Sequence, residues 1–145
     1  MAHAHGLRLI VAPALTLTTV LTAGNREPRW RRFVDLNLAG RLARIADAVE
    51  IQAQSLERHT ATYAAFVSAA TSQARAANPR ISVLVGLSTN PPGKPVDSQH
   101  LRSAIEATRS VVAGYWLNIP DQGARCPRCN PPRPNIAIQT LQALL

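Results

Sequence analysis

Within residues 46–54, apolar and polar side chains alternate strictly from Val49 to Gln54. The apolar positions are Val49, Ile51 and Ala53, and the polar positions are Glu50, Gln52 and Gln54. Because successive side chains of a strand point to opposite faces, this pattern predicts a β-strand with one apolar and one hydrogen-bonding face. The polar face could belong to the mouth of a barrel or to a solvated edge strand, and the pattern alone leaves both interpretations open.

Three further segments have the continuous apolar character of buried strands, namely residues 7–12, 81–87 and 111–119. The apolar run after Arg8 is also typical of a secretory signal, so its assignment has an alternative. Two observations favour the strand. Pro13 interrupts the run, and Leu21 stands where a signal cleavage site would need a small residue two positions before Ala23.

Four segments carry the three- and four-residue spacing of amphipathic helices. Asp35 or Asn37 is predicted to cap the first, after a loop at residues 25–32, and residues 55–77 form the longest. Asp97 caps the third, which runs to about residue 109, and Asn135 caps the last. The predicted buried positions of the first and last helices are Leu38, Leu42 and Ile45, and Ile138, Leu141 and Leu145.

Strands therefore alternate with helices along the whole chain, which predicts an α/β fold with a parallel sheet and right-handed crossovers. Its 145 residues, 46% of them hydrophobic, fit one domain over residues 1–145. Four β/α units are half of a TIM-type barrel, and a small open sheet is the alternative. Amides follow three of the strands, and ligand groups of a barrel gather at these carboxyl ends.

The charge balance bears on the choice of partner. Sixteen basic residues against eight acidic ones give a net charge of +8, which could attract nucleic acid. The arginines are scattered, however, and their densest cluster, Arg29, Arg31 and Arg32 around Trp30, has no nucleic-acid motif beside it. Nucleic acid is therefore not the expected partner. No apolar stretch is long enough for a transmembrane segment.

Candidate catalytic residues are two carboxylates. Glu50 is the only acid in the strictly alternating part of a predicted strand, and burial in a lumen would suit it for general acid or base chemistry. Glycoside hydrolysis normally requires a pair, and Asp121 is the second candidate. The alternative is a structural Glu50 bonded to an arginine or to backbone. Candidate ligand-binding residues are Gln52, Gln54, Ser88, Asn90, Trp116 and Asn118.

Cys126 and Cys129 form a Cys-Pro-Arg-Cys motif. A zinc site would need two further ligands, and no other cysteine or nearby histidine supplies them, so no metal is expected. The prolines that follow oppose a thioredoxin-like helix. A disulfide and two free thiols both remain open. Signatures of phosphate loops, serine hydrolases and zincins are missing, and no cofactor is expected.

Five motifs are similar in order to those of an uncharacterised family of actinobacterial proteins. They are Glu-Ile-Gln-Ala-Gln at 50–54 and the segments 73–79, 86–91, 114–120 and 126–129. The family resembles secreted or lipid-anchored barrels distantly similar to glycoside hydrolases. The resemblance implies a carbohydrate-active, hydrolase-like protein with Glu50 as acid or base, or a non-catalytic protein that binds carbohydrate or another small polar ligand at the same mouth.

Members of that family look longer at the amino end. The resemblance thus implies that this chain is the carboxyl-terminal half of a barrel, an inactive fragment that lacks its amino-terminal half. The exposed sheet edges and uncovered inner face of such a half predict that the chain self-associates as a homo-oligomer. Full-length members look secreted, whereas this chain has no convincing signal peptide.

Overall fold

The computed structural model describes residues 8–91, 95–120 and 131–144. Strands and helices alternate through these ranges, after a short first unit that contains two additional helices. The elements are β1 Ile10–Val11, α1 Leu17–Leu21, α2 Arg29–Asp35, α3 Leu38–Ala43, β2 Ala48–Ile51, α4 Thr60–Ala77, β3 Ser82–Ser88, α5 Ser98–Thr108, β4 Gly114–Asn118 and α6 Pro134–Gln142. No helix within these ranges is both long and apolar enough to cross a membrane.

The four strands form one parallel sheet in the order β1-β2-β3-β4. The predicted α/β class and the parallel pairing of the alternating segment are therefore confirmed. Because the spatial order follows the chain order and parallel crossovers are right-handed, the connecting helices fall on the same face of the sheet. Consistent with this, α3 contacts α4, α4 contacts α5, and α5 contacts α6.

The hydrophobic core lies between the sheet and this helical layer. Val49, Ile51, Val83 and Val85 point into it and are fully buried. From α4, a stripe of residues at helical spacing packs against them, and its buried members are Tyr63, Phe66, Val67, Ala70 and Ala74. Aliphatic strand residues and a helix rich in alanine thus fill the space between the two layers.

The opposite side of the sheet, which we call the open face, is only partly covered. The ladder register places Ile10, Ala48, Glu50, Leu84, Gly86 and Trp116 on it. Ile10 is 60% exposed and Trp116 is 55% exposed. Glu50 therefore lies on the face opposite the helices, where the alternating pattern placed it.

Several element boundaries differ from the sequence-based expectation. The β1 strand is confirmed but contains only two residues, and α4 begins at Thr60 rather than at residue 55. The loop predicted at residues 25–32 is wrong in its second half, because α2 begins directly after Pro28. Proline is favoured at helix starts because its fixed φ suits the first turn and its missing N–H has no partner there.

Two predicted helix faces need correction. Ile45 is 64% exposed, because α3 ends at Ala43 and Ile45 lies beyond it. In α6 the buried residues are Ile136, Ala137 and Thr140, whereas Ile138 and Leu141 are both 55% exposed. The side chain of Leu145 lies outside the described residues. Apolar residues occur on more than one side of this helix, so the spacing alone did not identify the packed side.

The predicted caps had different outcomes. Asp97 caps α5, since its carboxylate accepts a hydrogen bond of 2.9 Å from the backbone N–H of His100. Asn37 precedes α3 but has a left-handed backbone, φ 50°, and its side chain makes no cap hydrogen bond. Arg133, rather than Asn135, holds the N-cap position of α6.

Candidate functional site

A cleft of about 630 Å³ opens at the carboxyl ends of β2, β3 and β4. Its size falls within the range of small-ligand sites. The wall combines residues after β1, the start of α2, the loop after β2, and the ends of β3 and β4. These are Ala14, Leu15, Thr16, Pro28, Arg29, Trp30, Gln52, Gln54, Ser55, Leu56, Ser88, Pro91, Asn118 and Pro120.

Four of the six predicted ligand-binding residues lie in this wall, namely Gln52, Gln54, Ser88 and Asn118. The parallel register explains the meeting of the last two, because Ser88 and Asn118 are ladder partners at the ends of β3 and β4. Gln52 and Gln54 follow β2 directly. Strand ends of a parallel sheet thus bring together polar groups that are far apart in sequence.

The other two predicted ligand-binding residues lie elsewhere. Asn90 is 1% exposed, and its side-chain amide donates a hydrogen bond of 2.6 Å to the carbonyl of Pro131. It therefore holds the segment before α6 against the end of β3. Trp116 pairs with Gly86 in the ladder and lies on the open face rather than in the cleft wall.

Gly86 gives Gln54 its position. A Cβ atom at residue 86 would occupy the space of the Gln54 side-chain amide, so any other residue there would displace that amide from β3. The same side chain lowers the pKa of the Glu50 carboxyl in part. Gln54 thus lies against β3 at Gly86 and also lines the cleft.

Glu50 lies on the open face and is 7% exposed. Burial raises the pKa of this carboxyl, and the hydrogen bond from Gln54 lowers it in part. Within the described ranges no arginine or lysine forms an ion pair with it, and its Oε1 atom has no hydrogen-bond partner. The side chain therefore has the environment of an acid with unused hydrogen-bonding capacity.

The remaining predicted site residues, Asp121, Cys126 and Cys129, lie outside the described residues. The pairing of Asp121 with Glu50 and the disulfide between the two cysteines therefore stay predictions. In the part of the chain that the structure describes, no group of three or more histidine, cysteine, aspartate or glutamate side chains could hold a metal ion.

Glu57 is a buried carboxyl that the sequence-based prediction missed. It is fully buried, and its Oε1 atom accepts a hydrogen bond of 2.9 Å from the backbone N–H of Ser88. Burial raises its pKa to about 7, although backbone hydrogen bonds at Glu57, Ser88 and Ser55 act in the opposite direction. Among the residues described, nothing hydrogen-bonds its Oε2 atom. Glu57 therefore lies directly behind the cleft wall.

The reason for this omission is local. Residues 55–77 were all assigned to one helix, whereas Glu57 precedes α4 and lies in the loop after β2. Loops after the strands of a parallel β/α fold are where functional groups collect. The presence of an acidic residue, Glu57, in such a loop was therefore the feature of the sequence that could have identified it.

The start of α2 also contributes to the cleft, through Arg29 and Trp30. Trp30 packs against Phe66 with ring centroids 6.3 Å apart, and the Arg31 guanidinium lies 5.2 Å from the centroid of the indole. The ring is thus fixed by the core on one side while another part of it borders the cleft. Because residues 25–32 were expected to form a loop, the sequence did not indicate that Arg29 and Trp30 line the cleft.

No protein-family model matches the chain, and no curated protein is significantly similar to it. A functional assignment therefore depends on the chemistry of the site itself.

Proposed function

We propose that the cleft binds a carbohydrate or a similarly polar small ligand, and that the chain acts as a non-catalytic binding protein. The supporting observation is the convergence of three side-chain amides, from Gln52, Gln54 and Asn118, with the Trp30 ring around one cleft. Each amide both donates and accepts hydrogen bonds, which matches the hydroxyl groups of a sugar. The part of the Trp30 indole that borders the cleft adds apolar surface beside these amides.

The composition of the wall favours binding over catalysis. No carboxylate is among the described residues that line the cleft, whereas glycoside hydrolysis uses two carboxyl groups beside the scissile bond. Glu50 lies on the open face and Glu57 is buried behind Ser88, and neither lines the cleft.

Calorimetric titration with soluble cello-, xylo-, manno-, chito- and galacturono-oligosaccharides tests the binding proposal. We expect one class to bind, and Gln52→Ala or Asn118→Ala to weaken that binding about five- to tenfold, the value of one or two lost hydrogen bonds. Gln99→Ala is the matched control, because Gln99 is an exposed residue of α5 that does not line the cleft. Binding that none of the cleft variants alters would contradict the proposal.

A second candidate is a carbohydrate-active hydrolase with Glu50 as general acid or base and Asp121 as its partner. The raised pKa of Glu50 and its unpartnered Oε1 atom favour this candidate. Hydrolysis of the bound oligosaccharide, measured as new reducing ends, should then disappear in Glu50→Gln. Binding without any release of reducing ends would exclude the hydrolase.

We also propose that the sheet is half of a TIM-type barrel. All-parallel sheets normally have both faces covered, and the open face here exposes Ile10 and Trp116 beside two strand edges, β1 and β4, that no other described strand pairs with. We therefore expect the purified chain to self-associate, as measured by light scattering after size exclusion. Trp116→Glu should shift it towards monomer, whereas Ile138→Glu, an equally exposed change on α6, should not. A monodisperse wild-type monomer would count against the half-barrel.

A further inference from the structure

Arg29 is the charged residue of the described cleft wall. Its side chain is exposed, and it makes no hydrogen bond or ion pair within the residues that the structure describes. Since no acidic side chain among those residues shares the wall, the cleft presents one unneutralised cation to a ligand.

The neighbouring arginines are engaged differently. Arg31 forms an ion pair of 3.4 Å with Glu27 and stacks on Trp30. Arg32 is 7% exposed, and its Nη1 atom donates a hydrogen bond of 3.0 Å to the hydroxyl of Thr22. The cluster Arg29, Arg31 and Arg32 is thus divided: Arg31 contacts Glu27 and Trp30, Arg32 bonds Thr22 at the end of α1, and Arg29 leaves its guanidinium available at the cleft.

We propose that the cleft selects a sugar that carries a carboxylate and that Arg29 binds this carboxylate. This inference rests on the proposed binding function and specifies its ligand class. A guanidinium presents parallel N–H donors that match the two oxygens of a carboxylate, and such charge-assisted pairs are stronger than neutral hydrogen bonds. The net charge of +8 adds a long-range field that favours anionic ligands.

The positions of the wall residues determine the orientation of such a ligand in the cleft. Arg29 and Trp30 stand together at the start of α2, whereas Gln52 and Asn118 come from the ends of β2 and β4. The carboxylate therefore binds at the α2 side with the sugar ring beside the exposed part of the indole, and the ring hydroxyls face the strand-end amides. A neutral sugar of the same shape would keep the amide contacts and lose the arginine contact.

The test compares tri-galacturonic acid with its neutral methyl ester by calorimetry at low salt. Wild type should bind the acid at least tenfold more tightly than the ester. Arg29→Gln should weaken acid binding about tenfold or more and leave ester binding within twofold, because the change removes one charge-assisted contact. Arg75→Gln, which removes the same charge from an exposed position in the last turn of α4, should change acid binding less than twofold.

The other possible results each overturn either the carboxylate assignment or the proposed function. Equal binding of acid and ester by wild type would overturn the carboxylate assignment while the proposed function stands. Tighter binding of a sulfated oligosaccharide through Arg29 would overturn it in favour of sulfate. Equal losses of affinity for the acid in Arg29→Gln and Arg75→Gln would overturn the proposal, because the net positive charge rather than a contact with Arg29 would then attract the ligand. Failure of every oligosaccharide to bind would contradict the proposed function itself. Unchanged melting temperatures in both variants establish that the fold is intact.

Discussion

Glu57→Gln should remove most of the pH dependence of stability that the wild-type chain shows between pH 5 and pH 8. The Glu57 carboxyl is fully buried, and burial raises its pKa from an ordinary value of 4.5 to about 7. The folded protein therefore holds a proton over a pH range in which the unfolded chain has released it. Glutamine is neutral throughout this range and keeps an oxygen that can accept from Ser88.

The direction of the effect follows from linkage. A carboxyl whose pKa is raised on folding contributes its full stability below pH 4.5, and this stability is lost as the pH rises through 7. A tenfold change in proton affinity corresponds to about 1.4 kcal/mol, so wild type should lose about 3 kcal/mol over this window. The pKa of Glu50 is also raised by burial, which acts in the same direction.

Urea denaturation followed by circular dichroism at pH 5, 6, 7 and 8 measures this dependence. Glu106→Gln is the matched control, because Glu106 is exposed on α5, and it should retain the wild-type profile. A Glu57→Gln variant whose stability declines with pH as steeply as that of wild type would show that Glu57 does not hold the proton.

Phe66→Ala should lower the free energy of unfolding by about 3–5 kcal/mol, the usual cost of truncating a buried phenylalanine. Phe66 is fully buried on α4 and meets Phe33 edge-on, with ring centroids 5.5 Å apart. Its other aromatic neighbour is Trp30. The substitution leaves a cavity between α2 and α4 and removes the surface against which Trp30 is held.

Chemical denaturation measures this loss, and Val20→Ala is the control. Val20 is 78% exposed on α1, so its truncation should change stability by no more than about 0.5 kcal/mol. Phe66→Ala should also weaken ligand binding under conditions where it remains folded, because Trp30 belongs to the cleft wall. A destabilisation close to that of Val20→Ala would contradict this description of the core.

The parallel sheet could be predicted because its signals are periodic. The alternation at residues 46–54 placed Val49 and Ile51 on one face and Glu50 on the other, and the structure has the first two in the core. The stripe of α4 was equally clear, because its buried positions recur at helical spacing. In both segments local periodicity and tertiary burial agree.

The misplaced features depend on tertiary contacts that a local pattern does not contain. The α6 helix has apolar residues on more than one side, and packing against α5 determines that Ile136 rather than Ile138 is buried. Asn90 looked like a ligand residue because it follows a strand, yet its amide bonds the carbonyl of Pro131, 41 positions away. Such long-range bonds carry no sequence period.

The candidate site likewise contains some residues that the sequence could predict and others that it could not. Gln52, Gln54 and Asn118 could be proposed because they follow strands, and strand ends of a parallel sheet converge. Arg29 and Trp30 could not, because their helix comes from the additional segment between β1 and α3 and reaches the cleft through its packing on α3 and α4.

The central claim is that the strand-end amides of Gln52, Gln54 and Asn118 contact a sugar ligand. Nitrogen-15 NMR tests it directly, since the side-chain NH₂ groups of asparagine and glutamine give their own resonances. On titration with tri-galacturonic acid we expect these three pairs of signals to move together along one binding curve, while those of Gln99 and Asn78 stay in place. Saturable shifts confined to other residues, or none at millimolar ligand, would contradict the claim.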